Sequence, residues 1–384
     1  MGAKKRIVIS AINLVSGGTL TILYQCLDYI CNNDIVNDYE FFFLVHNRNM
    51  FSNYSNVCFI EFPKSKKNWL YRLYYEYFYF NRVSRRLKPY LWLSLHDMTP
   101  TVKAEVRAVY MHNPMPFYNG SITTLLRSDV RVALFALFYK YVYRVNIKQN
   151  DYLVCQQGWI RQAVSEMFTV SKQRIIVAPP TLPSSLIIGE VANKSTREGK
   201  KNKFVFFYPS LPRPFKNFET ICKAVTILRN KNVREFEVIL TLDGTENKYS
   251  KSIVSSYVCP ELRFVGLLSR EKVYEYYGIC DCLIFPSLLE TWGLPISEFI
   301  PFDKPMIVSD LPYAYETANG AKEVAFVNTR SPEALANTMF AILSGDMSAF
   351  GQCNNGGKIE PYAQDWENLF KYLISGSGHG QNNY

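Results

Sequence analysis

Short apolar runs alternate with longer segments of helical spacing along the chain. Residues 6–12 are almost continuously apolar, as in strands that are buried on both faces of a parallel sheet. Residues 218–228 instead repeat apolar positions every three or four residues, which is typical of a helix with one buried face. This alternation predicts βα units and therefore an α/β fold with parallel sheets. We expect strands at residues 6–12, 40–45, 57–62, 90–95, 106–111, 151–155, 204–208, 236–241, 262–265, 281–285 and 305–309, and helices from the first strand to about residue 32 and at residues 69–88, 218–228, 332–343 and 362–374.

A length of 384 residues suggests two domains, each with a core of its own. Residues 181–203 differ from the rest because they are rich in Pro, Ser, Gly, Asn and basic residues, and we interpret them as a linker. An N-terminal domain of residues 1–180 would then precede a C-terminal domain of residues 204–360. We expect a final helix at residues 361–375 and a loose polar tail at residues 376–384.

One stretch of the second half combines a strand end, a loop and a helix start. The predicted strand runs to Phe285, and Pro286 ends it because proline cannot donate to a strand ladder. The loop that follows carries Glu290 and reaches Gly293, which can take backbone conformations that other residues avoid. Pro295 suits the first position of a helix, where its missing N–H is no loss.

Two glutamates flank this helix start: Glu290 lies in the loop, and Glu298 lies about one turn into the helix. The unpaired N–H groups and the dipole of a helix start favour an anion such as a diphosphate. Carboxylates would repel phosphates, so they suit the hydroxyl groups of a sugar or a ribose. Taken alone, two such acids would be read as solvated residues of a helix face. Together with the surrounding loop they predict a nucleotide-sugar pocket.

The string Phe-Pro-Ser-x-x-Glu-x-x-Gly-x-Pro, with its Glu-x7-Glu pair, resembles the donor-site signature of retaining GT-B glycosyltransferases, especially those of family 4. The resemblance is strong in the C-terminal domain and extends to the N-terminal domain only in general layout. It implies two doubly wound Rossmann-like domains that face a cleft, with the last helix crossing back to the N-terminal domain. It also implies that Glu290 lies by the donor sugar and that Glu298 holds the nucleotide ribose. Further donor-binding residues of this loop would be Thr291, Trp292, Gly293 and Leu294.

A second loop carries basic residues in front of the helix at residues 218–228. Arg213 and Lys216 would neutralise a diphosphate leaving group there, and Asn217 is expected as the N-cap of the helix. The family that the chain resembles usually has a Gly-Arg-x-x-x-x-Lys-Gly-like loop at this place. Lys216 matches that pattern well, whereas Pro-Arg-Pro and the asparagine after the lysine depart from it. The alternative is that both cations are ordinary solvated loop charges.

Three other strand ends carry candidate residues. Gly17 and Gly18 follow the first strand and would let a ligand approach the backbone, although a simple tight turn is the alternative. His112 follows a strand at the edge where open α/β sheets bind ligands, and the alternative is a histidine that only caps the strand. The resemblance favours a place near the donor sugar for His112. It also implies that the loop of Gly266 contacts the base through its backbone.

Neither a metal nor a redox cofactor is expected. No Asp-x-Asp occurs, the four histidines lack the spacing of metal ligands, and the first loop is not GxGxxG. The nine cysteines form no CxxC pair, so we interpret them as reduced residues of a cytosolic protein.

A basic and aromatic stretch at residues 64–88 predicts a membrane surface as a partner. The chain has a formal net charge of +10, and many basic residues of the N-terminal half stand beside aromatic ones. Aromatic rings suit the headgroup level of a bilayer, and basic residues are attracted to anionic lipid. The alternative is that these aromatics fill the N-terminal core. With no secretory signal and no apolar run long enough to span a bilayer, we expect a cytoplasmic protein, peripheral on the cytoplasmic face of the membrane.

The expected function is transfer of a sugar from a UDP-, GDP- or ADP-sugar to an acceptor hydroxyl with retention. The acceptor would be lipid-linked or an oligosaccharide in polysaccharide, O-antigen or capsule assembly, and no nucleic acid is expected as a partner. Two alternatives stay open: a GT-B nucleotide-sugar hydrolase or epimerase, and a non-catalytic nucleotide-sugar-binding module. The sequence also leaves open whether Glu290 is a nucleophile or an electrostatic stabiliser.

Overall fold

The computed structural model describes residues 4–118, 122–128, 130–181, 203–355 and 357–375, and these residues contain two parallel β-sheets. The strands of the first sheet are β1 (Lys5–Ala11), β2 (Tyr39–Val45), β3 (Cys58–Glu61), β4 (Leu91–Ser94), β5 (Val106–Tyr110), β6 (Tyr152–Cys155) and β7 (Ile175–Val177). Those of the second are β8 (Phe204–Tyr208), β9 (Phe236–Leu240), β10 (Leu262–Phe264), β11 (Cys282–Phe285), β12 (Met306–Ser309) and β13 (Val324–Val327). The first sheet has the order β3-β2-β1-β4-β5-β6-β7, and the second has the order β10-β9-β8-β11-β12-β13. Both are the order of doubly wound nucleotide-binding folds.

Helices connect most successive strands in each sheet, although no α-helix of the described chain lies between β2 and β3 or between β4 and β5. The α-helices of the described residues are Gly17–Cys31, Ile35–Asp38, Trp69–Tyr74, Phe80–Leu87, Ile122–Ser128, Val130–Arg144, Gly158–Phe168, Phe218–Asn230, Lys248–Ser256, Arg270–Ile279, Leu294–Phe299, Pro312–Thr317, Pro332–Leu343 and Trp366–Ser375. None of these is both long enough and apolar enough to cross a membrane.

The central strand β1 shows why the first sheet is covered on both faces. Ile7 and Ile9 belong to a core cluster that also contains residues of the helices Gly17–Cys31 and Trp366–Ser375. Val8, which points to the opposite face, belongs to a second cluster that contains Phe80 and Trp92. Apolar residues are therefore needed at every position of the strand, which is the continuous pattern that the sequence shows. The prediction of two doubly wound α/β domains is confirmed.

Contacts divide the chain into two units. Of the described residues, 4–117, 138–181 and 358–375 form the first unit, and 118–137 and 203–357 form the second. The segment 118–137 thus groups with the second unit and not with its neighbours in sequence. The predicted linker, apart from its ends, and the predicted tail lie outside the described residues.

Three local expectations need comment. The helix after β1 begins at Gly17, so Gly18 lies in its first turn and not in a loop before it. Asn217 is not a side-chain N-cap: its backbone is left-handed, with φ of 61°, and its amide side chain points to other loops. The helix expected at residues 69–88 is present, with a π turn at Tyr75–Tyr79. Strands β7 and β13, three and four residues long, were missed because so short an apolar run carries little periodic signal.

Candidate functional site

The second sheet reverses its strand order between β8 and β11, which are hydrogen-bonded neighbours. In open α/β sheets, ligands bind outside the carboxyl ends of the strands at such a reversal. The loop after β8 carries Arg213 and Lys216, and the loop after β11 carries Glu290. Two motifs that lie far apart in the sequence therefore meet at the place where the fold favours a ligand.

Backbone contacts hold these two loops against each other. The Leu288 N–H donates to the Phe215 carbonyl at 2.8 Å. The Asn217 side-chain amide donates to the carbonyls of Pro286, at 3.2 Å, and Thr329, at 2.7 Å. Asparagine tolerates left-handed backbone better than most residues, which explains how Asn217 can hold this conformation.

Lys216 and Glu290 form an ion pair across the two loops. Lys216 Nζ lies 2.5 Å from Glu290 Oε1, and the two side chains are only 17% and 12% exposed. Burial raises the pKa of the Tyr313 phenol well above its usual value, and the nearby Glu290 carboxylate adds to that shift. The lysine thus neutralises a carboxylate that is poorly hydrated, and both groups still reach solvent.

The loop between Glu290 and the next helix is rigidly held. Gly293 has φ of 88°, and a Cβ there would lie 3.5 Å from the side chains of Phe285, Ile296 and Tyr313. Trp292 Nε1 donates to Ser297 Oγ at 3.0 Å. The remaining two candidates of this loop, Thr291 and Leu294, are half-buried beside them.

Glu298 is buried and held by two residues that sequence reasoning did not single out. Arg270 Nη2 lies 3.0 Å from Glu298 Oε1, and the Tyr277 hydroxyl donates to Oε2 at 3.3 Å. Arg270 begins the helix that follows the loop of Gly266. The available signal was the position of Arg270 soon after a strand end, which is where site residues of this fold are found.

Gly266 is required by a close approach. Its φ is 69°, and a Cβ there would lie 2.8 Å from Asp243 Oδ2. The Asp243 carboxylate itself accepts hydrogen bonds from the backbone N–H and the hydroxyl of Thr245. The loops after β9 and β10 therefore lie close together at this point. Arg213 is exposed on the loop after β8.

The candidates of the first unit are Gly17, Gly18 and His112. Asp97 Oδ1 accepts the backbone N–H of His112 at 2.5 Å and that of Asn113 at 3.0 Å. The His112 ring is buried and stacks on Tyr110, with 4.4 Å between centroids. Burial lowers the pKa of His112, and Asp97 opposes that shift. Asp97 thus orders the strand end that carries the histidine, and sequence reasoning missed it.

Residues 190–357 match the family described as Glycosyl transferases group 1. The match covers somewhat less than half of the chain. Lys216, Glu290 and Glu298 all lie within it. The O-antigen chain mannosyltransferase RfbU of Salmonella typhimurium is 24% identical over 191 residues, which are 48% of this chain and 50% of that protein. The chain thus spans about half the length of the curated relative that it matches.

Solved structures resemble the chain over most of its length. A glycosyltransferase from Rickettsia africae ESF-5 has a TM-score of 0.62 and 16% identity, over 90% of both chains. Anabaena HepE, solved in complex with UDP and glucose, has a TM-score of 0.56 and 12% identity, over 89% of this chain and 91% of its own. At these identities the likeness shows the fold alone. That fold, with two Rossmann-like units, is the one of GT-B glycosyltransferases, as predicted.

Two of the cation–carboxylate pairs in the matched region lie at the candidate site. One is Lys216 with Glu290, and the other is Arg270 with Glu298. Within the described ranges, no three His, Cys, Asp or Glu side chains are grouped as metal ligands would be. The arrangement offers cations for phosphate oxygens and carboxylates for hydroxyl groups, and metal independence stays a prediction.

Proposed function

We propose that the protein transfers a sugar from a nucleotide-sugar donor to an acceptor hydroxyl, with retention at the anomeric carbon. The observation that supports this most is the contact between Lys216 and Glu290 at a strand reversal, within the region that matches Glycosyl transferases group 1. It pairs a cation suited to a diphosphate with a carboxylate suited to a sugar hydroxyl.

In this proposal, Lys216 and Glu290 exchange their contact with each other for contacts with the donor. Lys216 binds the diphosphate, and the bound phosphates separate it from Glu290. Glu290 then accepts a hydroxyl of the donor sugar and stabilises positive charge at the anomeric carbon. The bond from that carbon to the diphosphate breaks, the bond to the acceptor oxygen forms, and the acceptor proton leaves with the diphosphate or to solvent.

The nucleotide would occupy the neighbouring pair. Glu298 accepts the ribose hydroxyls, and Arg270 and Tyr277 hold its carboxylate in one orientation. The remaining residues that we assign to donor binding are Arg213, Gly17, Gly18, Gly266, Thr291, Trp292, Gly293 and Leu294, and His112 is assigned to the donor sugar. No metal or cofactor is assigned to the reaction.

The proposed acceptor is lipid-linked or an oligosaccharide in the assembly of an O-antigen, capsule or similar polysaccharide. The support is the similarity to a protein whose name is O-antigen chain mannosyltransferase. The donor would be a UDP-, GDP- or ADP-sugar, and the complex of HepE with UDP and glucose is the example that a protein of this fold supplies. The identity of the sugar and the linkage are left to experiment.

Calorimetric titration with UDP, GDP and ADP tests the donor site. We expect one of them to bind, and Lys216→Ala to weaken that binding about tenfold to a hundredfold, since a hydrogen bond to a charged group contributes about 1.5–3 kcal/mol. Lys223→Ala, which removes an exposed lysine of the following helix, is the matched control. Equal affinity of both folded variants and the wild type would contradict the assignment.

Product analysis separates transfer from the two alternatives. With donor and acceptor present, NMR should find the donor's anomeric configuration kept in the new glycoside. A hydrolase would release free sugar without an acceptor, an epimerase would change the sugar of the donor, and a binding module would do neither.

A further inference from the structure

The helix that begins at Trp69 has its polarity inverted. Leu70, Tyr74 and Phe78, spaced four residues apart, are 75%, 51% and 71% exposed. Between them, Arg72 and Glu76 are buried, at 6% and 0% exposure. A helix on a water-facing surface normally does the opposite, because burying charge costs free energy and burying apolar surface releases it.

Contacts beneath the helix hold it in this orientation. Arg72 Nη2 donates to the His96 carbonyl at 2.9 Å, and Glu76 Oε1 lies 3.3 Å from His96 Nε2. His96 is in turn hydrogen-bonded to Ser10 Oγ at 2.9 Å. The helix cannot rotate to cover its aromatic side without breaking this buried polar cluster. The exposure of the aromatic side is therefore built into the fold.

Basic residues surround the exposed apolar side chains. Residues 64–88 contain one acidic residue, Glu76, and it is buried. Arg82 and Arg86 continue the four-residue spacing of the exposed stripe, and Arg85 is exposed beside them. The exposed basic residues of this stretch are Lys64, Lys66, Lys67, Arg82, Arg85, Arg86 and Lys88.

The helix Val130–Arg144 adds apolar surface through its residues from 138 onward, which belong to the same unit. Trp69 packs edge-on against Tyr139, with 6.1 Å between ring centroids. On the helix that carries Tyr139, Phe138 and Tyr141 are exposed. Large exposed apolar patches on a soluble protein mark interaction sites.

We propose that Leu70, Tyr74 and Phe78, together with Arg82, Arg85 and Arg86, form a docking face for an anionic lipid bilayer. The apolar side chains would enter the headgroup region, and the arginines would contact anionic headgroups. A bilayer fits better than a folded partner because the face combines inserted-type aromatics with exposed charge of one sign. The proposal deepens the proposed function, since a lipid-linked acceptor would lie at this surface. Bilayer binding itself does not depend on the donor site.

Co-sedimentation with vesicles tests the charge requirement. The full chain should bind vesicles of phosphatidylethanolamine with phosphatidylglycerol and should not bind phosphatidylcholine vesicles. Binding should fall as salt rises from about 0.1 M to 1 M, because the Debye length shortens from ~10 Å to ~3 Å. Equal binding to neutral vesicles, or no binding to anionic ones, would overturn the proposal.

Two triple variants test the residues. Leu70→Gln, Tyr74→Gln and Phe78→Gln together should weaken partitioning at least about tenfold. Their control is Val258→Gln, Phe340→Gln and Ile359→Gln, which removes exposed apolar side chains elsewhere.

Arg82→Gln, Arg85→Gln and Arg86→Gln together should weaken partitioning roughly a hundredfold at low salt. The control with the same charge change is Lys223→Gln, Lys231→Gln and Lys251→Gln, all exposed in the second unit. If the test and control triples behave alike, the face is not the docking site.

Two further measurements separate the possible failures. Light scattering reports self-association, and self-association that the apolar triple variant abolishes, without vesicle binding by the wild type, would assign the face to a second copy of the chain. Calorimetric nucleotide binding by each variant reports an intact donor site. Loss of vesicle binding with unchanged nucleotide binding supports the docking face, and vesicle binding without nucleotide binding would leave the docking face standing while the proposed function fails.

Discussion

The two sheets place polar clusters at equivalent positions and treat them differently. Each sheet reverses its strand order beside its first strand, between β1 and β4 in one unit and between β8 and β11 in the other. At the first reversal, Ser10 contacts His96, His96 in turn contacts Glu76, and Arg72 is buried with them. At the second, Lys216 pairs with Glu290 beside solvent.

Burial decides what each cluster can do. In the first unit, burial raises the pKa of Glu76 to about 8, against the opposing effect of Arg72. Burial also lowers the pKa of His96 well below its usual value. These groups thus tend to be neutral where they meet, and the close contact of Glu76 with His96 is not a strong ion pair. The Lys216–Glu290 pair of the second unit reaches solvent, so a ligand can replace one partner with little rearrangement.

The strand reversal of a sheet can therefore serve either as a ligand site or as a structural support. In the first unit the helix at residues 69–87 covers the cluster and turns its own aromatic residues outward. In the second unit, only short loops lie at the corresponding place, and they leave the Lys216–Glu290 pair accessible to a ligand. The fold supplies the position, and the covering segment decides its use.

The largest effect on sugar transfer should follow from changing the solvent-accessible pair of Lys216 and Glu290. We expect Glu290→Gln to lower the rate of sugar transfer about a hundredfold to a thousandfold, as is typical when one preorganised electrostatic partner of a transition state is lost. Nucleotide binding should change far less, because Glu290 is assigned to the sugar. Steady-state kinetics and calorimetry measure the two effects, and Glu275→Gln, which removes an exposed carboxylate of the same unit, is the control. A transfer rate equal to the wild type would remove Glu290 from the mechanism.

A smaller effect is expected at the neighbouring pair. Glu298→Gln should weaken nucleoside diphosphate binding about tenfold. Arg270→Gln should weaken it by less, and the double variant should resemble Glu298→Gln, because Arg270 acts by orienting Glu298. Additive losses in this double-mutant cycle would instead mean that Arg270 contacts the nucleotide independently.

The buried polar cluster of Ser10, Arg72, Glu76 and His96 should affect how the free energy of unfolding depends on pH. Folded Glu76 keeps its proton up to about pH 8, whereas in the unfolded chain a glutamate loses it near pH 4.3. The folded state therefore binds more protons across this range, so the free energy of unfolding falls as pH rises. The pKa values of the buried His96 and His112 are lowered, and a histidine of the unfolded chain is mostly neutral above about pH 7, so the change between about pH 7 and 8 reports mainly Glu76.

Denaturant unfolding in that window measures the effect. The wild type should lose at most about 1.4 kcal/mol per pH unit, and Glu76→Gln should remove this slope. Glu105→Gln, at an exposed position of the same unit, should leave the slope unchanged. An identical pH slope in wild type and Glu76→Gln would contradict the raised pKa of a buried Glu76.

The smallest effect is expected from removing divalent metals. In the proposed mechanism, Lys216 and Arg213 neutralise the leaving diphosphate, so EDTA should change the transfer rate by less than about twofold. The measurement is the transfer rate after chelation, with and without added magnesium or manganese. Activity that disappears with EDTA and returns with either metal would show that a metal ion, and not Lys216 and Arg213 alone, neutralises the leaving diphosphate.

Much of the fold and part of the site could be predicted from local patterns. The apolar run at β1 and the helical spacing of residues 218–228 report burial directly, because each periodicity arises within one segment. The loop from Pro286 to Gly293 could be recognised for the same reason: proline and glycine restrict or free the backbone where they stand. Which loops meet is a different matter, since the pairing of β8 with β11 joins residues that no local pattern relates.

The sequence by itself determined most of the strands, some of the helices, the α/β class with two Rossmann-like domains, and the candidacy of Glu290, Glu298 and Lys216. Only the tertiary structure decided that Lys216 lies against Glu290 and that Arg270 holds Glu298. It also decided between core and surface for the aromatic stretch: Phe80 is buried, while Phe78 is exposed. The physical reason is that a helix buries the side for which the rest of the fold supplies partners. The partners of Arg72 and Glu76 come from strand ends elsewhere in the chain.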